Sequence, residues 1–207
     1  MTLRERQKEE GRRLVREAAV DLFFEDGYMG TTVKSIAARA GVAERTFYNL
    51  FETKAGLLID IVRDRIAGSQ DDPIEADHAH LESLSKPAEM IEYFGEITRR
   101  VAQRALPLLK VAYEAAVVDG EVAKQLASQE EYRFENQTIL LKTLSQKGFL
   151  RTDEPFDYLR MGFWLLAGPE MAIKATDAGW DLDTYKRWLI DTLQGLLLGE
   201  APTDNPN

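Results

Sequence analysis

Thr31-Thr-Val-Lys-Ser-Ile-Ala-Ala-Arg-Ala-Gly-Val-Ala-Glu-Arg-Thr-Phe-Tyr-Asn-Leu-Phe51 is the stretch around which the rest of this chain is read. Val33, Ile36, Ala37 and Ala40 recur at helical spacing behind Thr32, a hydroxyl residue suited to cap a helix start. Gly41 ends that helix, where a left-handed backbone favours glycine. Val42 reopens the apolar series, and Phe47, Leu50 and Phe51 continue it along one face of a second short helix. Two short helices joined by a glycine-containing turn make a helix-turn-helix. Ala37 is small enough for the second helix to cross close to the first. The opposite face carries Glu44, Arg45, Thr46, Tyr48 and Asn49, residue types that meet base edges and phosphates. Periodicity alone leaves two readings open: a DNA reader, or two amphipathic helices in an ordinary helical core.

The longer run T-T-V-x-x-I-A-x-x-A-G-V-x-x-x-T-F-Y-x-x-F-x-x-K-x-x-L, which takes in Lys54 and Leu57, resembles the DNA-binding segment of the tetracycline-repressor (TetR) family of bacterial regulators. The resemblance covers about the first quarter of the chain; the remainder matches in length and helical content only. It implies a homodimer that binds a near-palindromic DNA operator and is released by a small molecule held in the C-terminal domain. Arg45 is the first candidate for base reading, since a guanidinium pairs two acceptors on guanine. Glu44 either accepts from cytosine or stabilises its helix start through the dipole. Similarity to the family makes Thr32, Tyr48 and Lys54 phosphate contacts, while Thr46 and Asn49 suit either purpose. The family commonly has Ser or Thr where Ala43 stands, so the second helix is expected to lack a side-chain cap.

The chain of 207 residues holds no cysteine, which excludes disulfides and thiolate metal sites and fits a cytoplasmic location. No apolar run is long enough to span a bilayer, and no membrane partner is expected. The net charge of −9 speaks at first against a nucleic-acid partner, but its distribution does not. Residues 1–56 carry ten Lys and Arg against nine Asp and Glu, and the acidic excess lies in residues 57–207. A reader needs a local positive surface, not a positive protein. These segments are the expected domains: 1–56 a three-helix DNA-binding domain, 57–207 a larger helical domain for effector binding and dimerisation, in an all-α fold.

Residues 1–10 lack apolar anchors and read either as a mobile basic arm toward DNA or as a solvated helix start. A helical stripe from Leu14 to Phe23 ends at Gly27. Thr53 is placed to cap a fourth helix, with Lys54 in its first turn, where a cation opposes the helix dipole. Gly68 to about His80 reads as a polar loop. Its His78 and His80, near Asp71, Asp72 and Asp77, form at most an incidental H-x-H pair, and no metal or other cofactor is expected. Beyond Ser85 the pattern predicts a helix broken at Leu106-Pro107, a shorter one to Val118 and a long one from Glu121 to Gln146. Two more follow: Pro155 to Thr176, capped by Asp153 and kinked at Pro169, and Asp183 to Leu198, stopped by Gly199. The last two are apolar around most of their circumference, which predicts a dimer seam through Leu165, Leu189, Leu193, Leu196 and Leu197.

No nucleophile set, phosphate-cradling glycine loop or metal-ligand spacing is present, so an enzyme is not expected. Met90, Tyr93, Phe94, Tyr113, Met161 and Trp164 are candidates to line a cavity for an apolar or aromatic effector, or else belong to plain core. The reading of the whole is a ligand-released repressor. The alternative is a constitutive DNA-binding regulator or a helical adaptor without an effector.

Overall fold

The structure is a computed structural model that describes residues 2–69 and 72–198, with the backbone alone at residues 69, 72–76 and 78. Among these residues the fold is all-α apart from one hairpin of two-residue strands, β1 (Gly68–Ser69) and β2 (Asp72–Pro73). The helices are α1 (Leu3–Gly30), α2 (Val33–Ala40), α3 (Glu44–Phe51), α4 (Lys54–Ala67), α5 (Ile74–Ser83), α6 (Pro87–Ala116), α7 (Gly120–Gln146), α8 (Phe156–Leu166), α9 (Pro169–Asp177) and α10 (Leu182–Leu197). No helix among the described residues is long and apolar enough to cross a membrane. The chain divides into two compact units, one comprising the residues up to Arg65 with Pro107–Gln129, the other Ile66–Leu106 with the residues from Glu130 on. The division therefore does not follow the boundary expected at residue 56, which falls inside α4; α6 and α7 each contribute residues to both units.

In the first unit, α1 begins earlier than its apolar stripe. Thr2 caps it by accepting from the Glu5 amide, and the Glu5 carboxylate accepts from the Thr2 amide, a reciprocal capping box. The arm reading of residues 1–10 thus gives way to a capped helix over Leu3–Glu10. Gly27, the expected end of the first helix, is non-helical at φ 70°, but one more helical turn follows before Thr31. The buried residues of this unit include Val15, Ala19, Leu22 and Phe23 of α1, Ile36 and Ala37 of α2, Phe47 and Phe51 of α3 and Leu57, Leu58 and Ile61 of α4. The ends of α6 and α7 add the buried residues Leu108, Leu109, Ala112, Ala115, Val122 and Leu126 to this unit.

The second unit holds the larger apolar core, centred on Met90, Ile91, Leu141, Leu144, Leu159, Phe163, Tyr185, Leu189, Leu193 and Leu197. Several expectations are corrected here. The segment read as a loop is helical from Ile74 because Asp77, buried in mid-helix, accepts from the Tyr93 hydroxyl at 2.7 Å and pairs with Arg100 at 2.6 Å. Pro107 does not break α6: a missing amide costs about 3 kcal/mol, less than the burial of Ala105, Leu106, Leu108 and Leu109 around it returns. Pro169 begins a new helix where a kink was expected, since proline suits a first helical position, and Gly168 precedes it as the N-cap. Pro155, not Asp153, stands at the start of α8, and Asp153 pairs with Arg151 instead. Asp181 caps α10 through the Thr184 amide at 2.7 Å, so the helix begins at Leu182, one residue before the expected start. Gly199, read as the stop of that helix, lies outside the described residues.

Candidate nucleic-acid interface

Local chemistry builds the reader as its sequence suggests. The Thr32 hydroxyl accepts from the Ser35 amide at 3.0 Å, and the Ser35 hydroxyl accepts from the Thr32 amide at 3.0 Å. Gly41 closes α2 at φ 68°, ψ 28°, with its own amide and that of Val42 returning to carbonyls of the last turn. α3 then starts from Ala43, which provides no side-chain cap bond, so Glu44 in the first turn is the only side-chain compensation for the helix dipole there. Phe47, fully buried, and Phe51 hold α3 to the core, their rings 6.1 Å apart. This anchoring leaves Glu44, Arg45, Tyr48 and Asn49 exposed and Thr46 half-buried on the outward side, a continuous polar face on one short helix.

Two basic residues serve this face from behind. Arg12 belongs to the basic start of the chain, yet its guanidinium donates to the Leu50 carbonyl at 2.7 Å, pairs with Asp60 at 3.0 Å and lies 4.4 Å from the Phe51 ring centre. It therefore satisfies the C-terminal end of α3 and fixes it to α1 and α4. Sequence reasoning missed this role, because nothing local links position 12 to position 50. Arg13, its neighbour, pairs with Glu10 and Glu17 on its own helix.

Lys54 is the second, and here the structure departs from expectation. Its ammonium turns inward and donates to the carbonyls of Tyr28 at 2.7 Å and Thr31 at 2.8 Å, 3.9 Å from the centre of the Tyr28 ring. Burial lowers its pKa, opposed by the charge of Asp119. The Tyr28 hydroxyl donates to Asp119 at 2.6 Å; burial and that bond push the phenol upward, and the same bond holds the Asp119 carboxyl below its usual range. Thr53 caps α4 through the Gly56 amide at 2.9 Å and donates to Glu121 at 2.9 Å.

The other expected site residues are dispersed. In the second unit Met90 is core, and Phe94 packs on Phe163 at 4.9 Å. Tyr93 is bound to Asp77, and Trp164 packs edge-on against Phe134 at 5.8 Å. Tyr113 belongs to the first unit, and Met161 is 47% exposed. Of the expected dimer residues, Leu189, Leu193 and Leu197 point into the core of their own unit at 0% exposure, because α10 spends its strongest apolar stripe there. Leu165 is exposed and Leu196 half-buried. Leu165 shares its outer face with Tyr158 and Met161, two turns and one turn earlier in α8. The His80 ring lies 4.4 Å from that of Tyr93; Asp71 and the side chains of Asp72 and His78 lie outside the described residues. Among the described residues no group of three or more His, Cys, Asp or Glu gathers as metal ligands.

A capped helix-turn-helix with an outward polar face on its second helix is the arrangement by which helix-turn-helix proteins read DNA. Residues 15–61 match the family model described as bacterial regulatory proteins, tetR family. The chain is 25% identical over 157 residues to the HTH-type transcriptional regulator YezE of Bacillus subtilis, covering 72% of this chain and 73% of that one. A structure assigned as a TetR-family transcriptional regulator from Syntrophomonas wolfei superposes with a TM-score of 0.76 at 17% identity, over 95% of this chain and 99% of the other. A second, assigned as a transcriptional regulator from Saccharomonospora viridis and solved in complex with choline, superposes with a TM-score of 0.68 at 17% identity, over 92% and 99%. Residues 15–61 thus resemble the DNA-binding segment of the tetR family of bacterial regulatory proteins, and the fold of the whole chain is that of the superposed regulators.

Proposed function

We propose that this regulator is a cytoplasmic, homodimeric repressor that binds a near-palindromic operator and lets go when a small apolar or aromatic molecule binds. The observation that carries the DNA half is the outward face of α3, where Glu44, Arg45, Tyr48 and Asn49 stand exposed over the buried Phe47 and Phe51. In this reading α3 enters the major groove. Arg45 pairs with the two acceptors of a guanine, Asn49 and Thr46 reach bases or phosphates, and Glu44 accepts from a cytosine amine or only steadies its helix. Thr32, at the open N-terminus of α2, and Tyr48 meet phosphates. Dimerisation brings two such helices one turn of DNA apart, about 34–36 Å.

The effector half is supported by the likeness in fold to a regulator solved in complex with choline, and by the aromatic residues Tyr93, Phe94 and Trp164 of the second unit. Release requires that the effector favour the form that does not bind DNA, since equal affinity for both forms shifts nothing. The dimer seam is carried by the outer face of α8 with Leu165, and by Leu196 of α10.

The experiment selects duplexes from a random library with the parent protein and measures binding of the selected operator by parent and Arg45→Ala. The variant should lose about 1–3 kcal/mol at one base position of each half-site and relax specificity there. Unchanged affinity and selectivity would remove Arg45 from the readers. Titrating a panel of apolar and aromatic compounds, with choline included, should quench tryptophan emission and release the operator at one common midpoint.

A further inference from the structure

Lys54 sits immediately after the helix-turn-helix, and Thr31 immediately before it. Only Glu52 and Thr53 separate the end of α3 from Lys54, and only the cap Thr32 separates Thr31 from α2. The Lys54 ammonium bonds the Thr31 carbonyl at 2.8 Å and the Tyr28 carbonyl at 2.7 Å. One side chain thus joins the entry of the reader to its exit across 23 residues of sequence. Two of its three donors are spent on carbonyls, and the ammonium nitrogen lies over the Tyr28 ring, 3.9 Å from its centre.

Tyr28 is itself held. It is buried, and its hydroxyl donates to Asp119 at 2.6 Å. Asp119 also accepts from the amides of Glu121 at 3.0 Å and Val122 at 3.3 Å, so that it caps α7. Thr31 is buried too, its hydroxyl donating to the Gly27 carbonyl at 2.8 Å. The chain from Asp119 through Tyr28 to Lys54 therefore runs from the α6–α7 turn to both ends of the helix-turn-helix by short, charge-assisted bonds.

We propose that Lys54, Tyr28 and Asp119 are positioning residues for DNA recognition: Lys54 staples the two ends of the helix-turn-helix together, and Asp119, through Tyr28, ties that staple to the α6–α7 turn. Lys54 then acts on the angle of α3 and not on a phosphate. The inference rests on α3 being the helix that meets DNA.

The test compares Lys54→Met, Tyr28→Phe, Asp119→Asn and the double variant Tyr28→Phe/Lys54→Met on the operator selected with the parent protein. Each single variant should weaken binding roughly tenfold. The slope of log affinity against log salt should match that of the parent, and the double variant should lose much less than the product of the two singles. A lysine on a phosphate predicts the opposite: a slope smaller by about 0.9 for each phosphate the variant no longer neutralises, with effects that multiply. That result would overturn the proposal. Asp119→Asn keeps shape and volume, so it carries the comparison if Lys54→Met fails to fold. Hydrogen exchange on the DNA-free protein reads the staple independently of any operator: in Tyr28→Phe and Asp119→Asn the amides of Thr31 and Leu57 should exchange faster, while those of the second unit keep parental rates. Parental rates at Thr31 and Leu57 would overturn the proposal. A parent that selects no duplex would overturn the reading of α3, whatever the exchange data show for the staple.

Discussion

Leucine-to-aspartate substitutions at positions 165 and 193 should have opposite consequences, although both leucines lie in strongly apolar helices. Leu165 is 54% exposed on the outer face of α8, whereas Leu193 is at 0% in the core of the second unit. Full burial of a leucine is worth about 1.5–3 kcal/mol, so covering what remains of Leu165 in two protomers of a symmetric pair contributes about 2–3 kcal/mol. An aspartate there forfeits that gain and places two carboxylates against an apolar partner, at a further cost of about 1–3 kcal/mol. A combined loss of about 5 kcal/mol weakens the proposed dimer roughly several thousandfold and leaves folded monomer at micromolar concentration. At Leu193 the same change removes a fully packed side chain at about 2–5 kcal/mol and buries a charge besides, which consumes most of a stability of about 5–15 kcal/mol. Sedimentation velocity and near-ultraviolet circular dichroism separate the outcomes. Leu165→Asp should sediment as a monomer with native tertiary signal, and Leu193→Asp should lose that signal. A Leu165→Asp protein that remained dimeric at low micromolar concentration, or a native-like monomer from Leu193→Asp, would refute this assignment of faces.

Other substitutions test single features. Ala43→Ser should supply the cap that α3 lacks and raise stability in urea unfolding by about 0.5–1 kcal/mol. Gly95→Ala should destabilise by about 1–3 kcal/mol despite its better helix propensity, because the added methyl would stand 2.6 Å from Cγ1 of Ile190; thermal unfolding reads this directly. Glu96 accepts from Arg99 at 2.6 Å and Lys186 at 3.0 Å, with Arg99 the main reason its pKa falls from 4.5 to about 2. Its folded-state pKa is depressed, so its contribution is complete above pH 4.5 and lost as pH falls toward 2. Glu96→Gln should therefore cost about 1 kcal/mol at neutral pH, allowing for solvent screening of a carboxylate about one-third exposed. The difference from the parent should vanish in urea titrations near the acid end of that window.

Local rules were enough for the reader. Hydroxyl cap, glycine stop and apolar spacing all act within a few residues, so α2, its turn and α3 were legible from Thr32 to Phe51, including the missing cap at Ala43. The outward set Glu44, Arg45, Tyr48 and Asn49 followed from the same spacing, since anchoring Phe47 and Phe51 inward decides which residues face out. What tertiary structure alone decided are pairings between distant positions. Asp77 makes a helix of a polar segment because Tyr93 and Arg100 come to it. Pro107 stays inside α6 because its neighbours are buried. Leu189, Leu193 and Leu197 face their own core and leave the outer surface to Leu165, a choice that helical periodicity cannot make once a helix is apolar on several sides. Lys54 shows the difference most plainly: a cation in a first helical turn is locally unfavourable, which suggests a partner, but only the folded chain determines that the partners are the carbonyls of Tyr28 and Thr31.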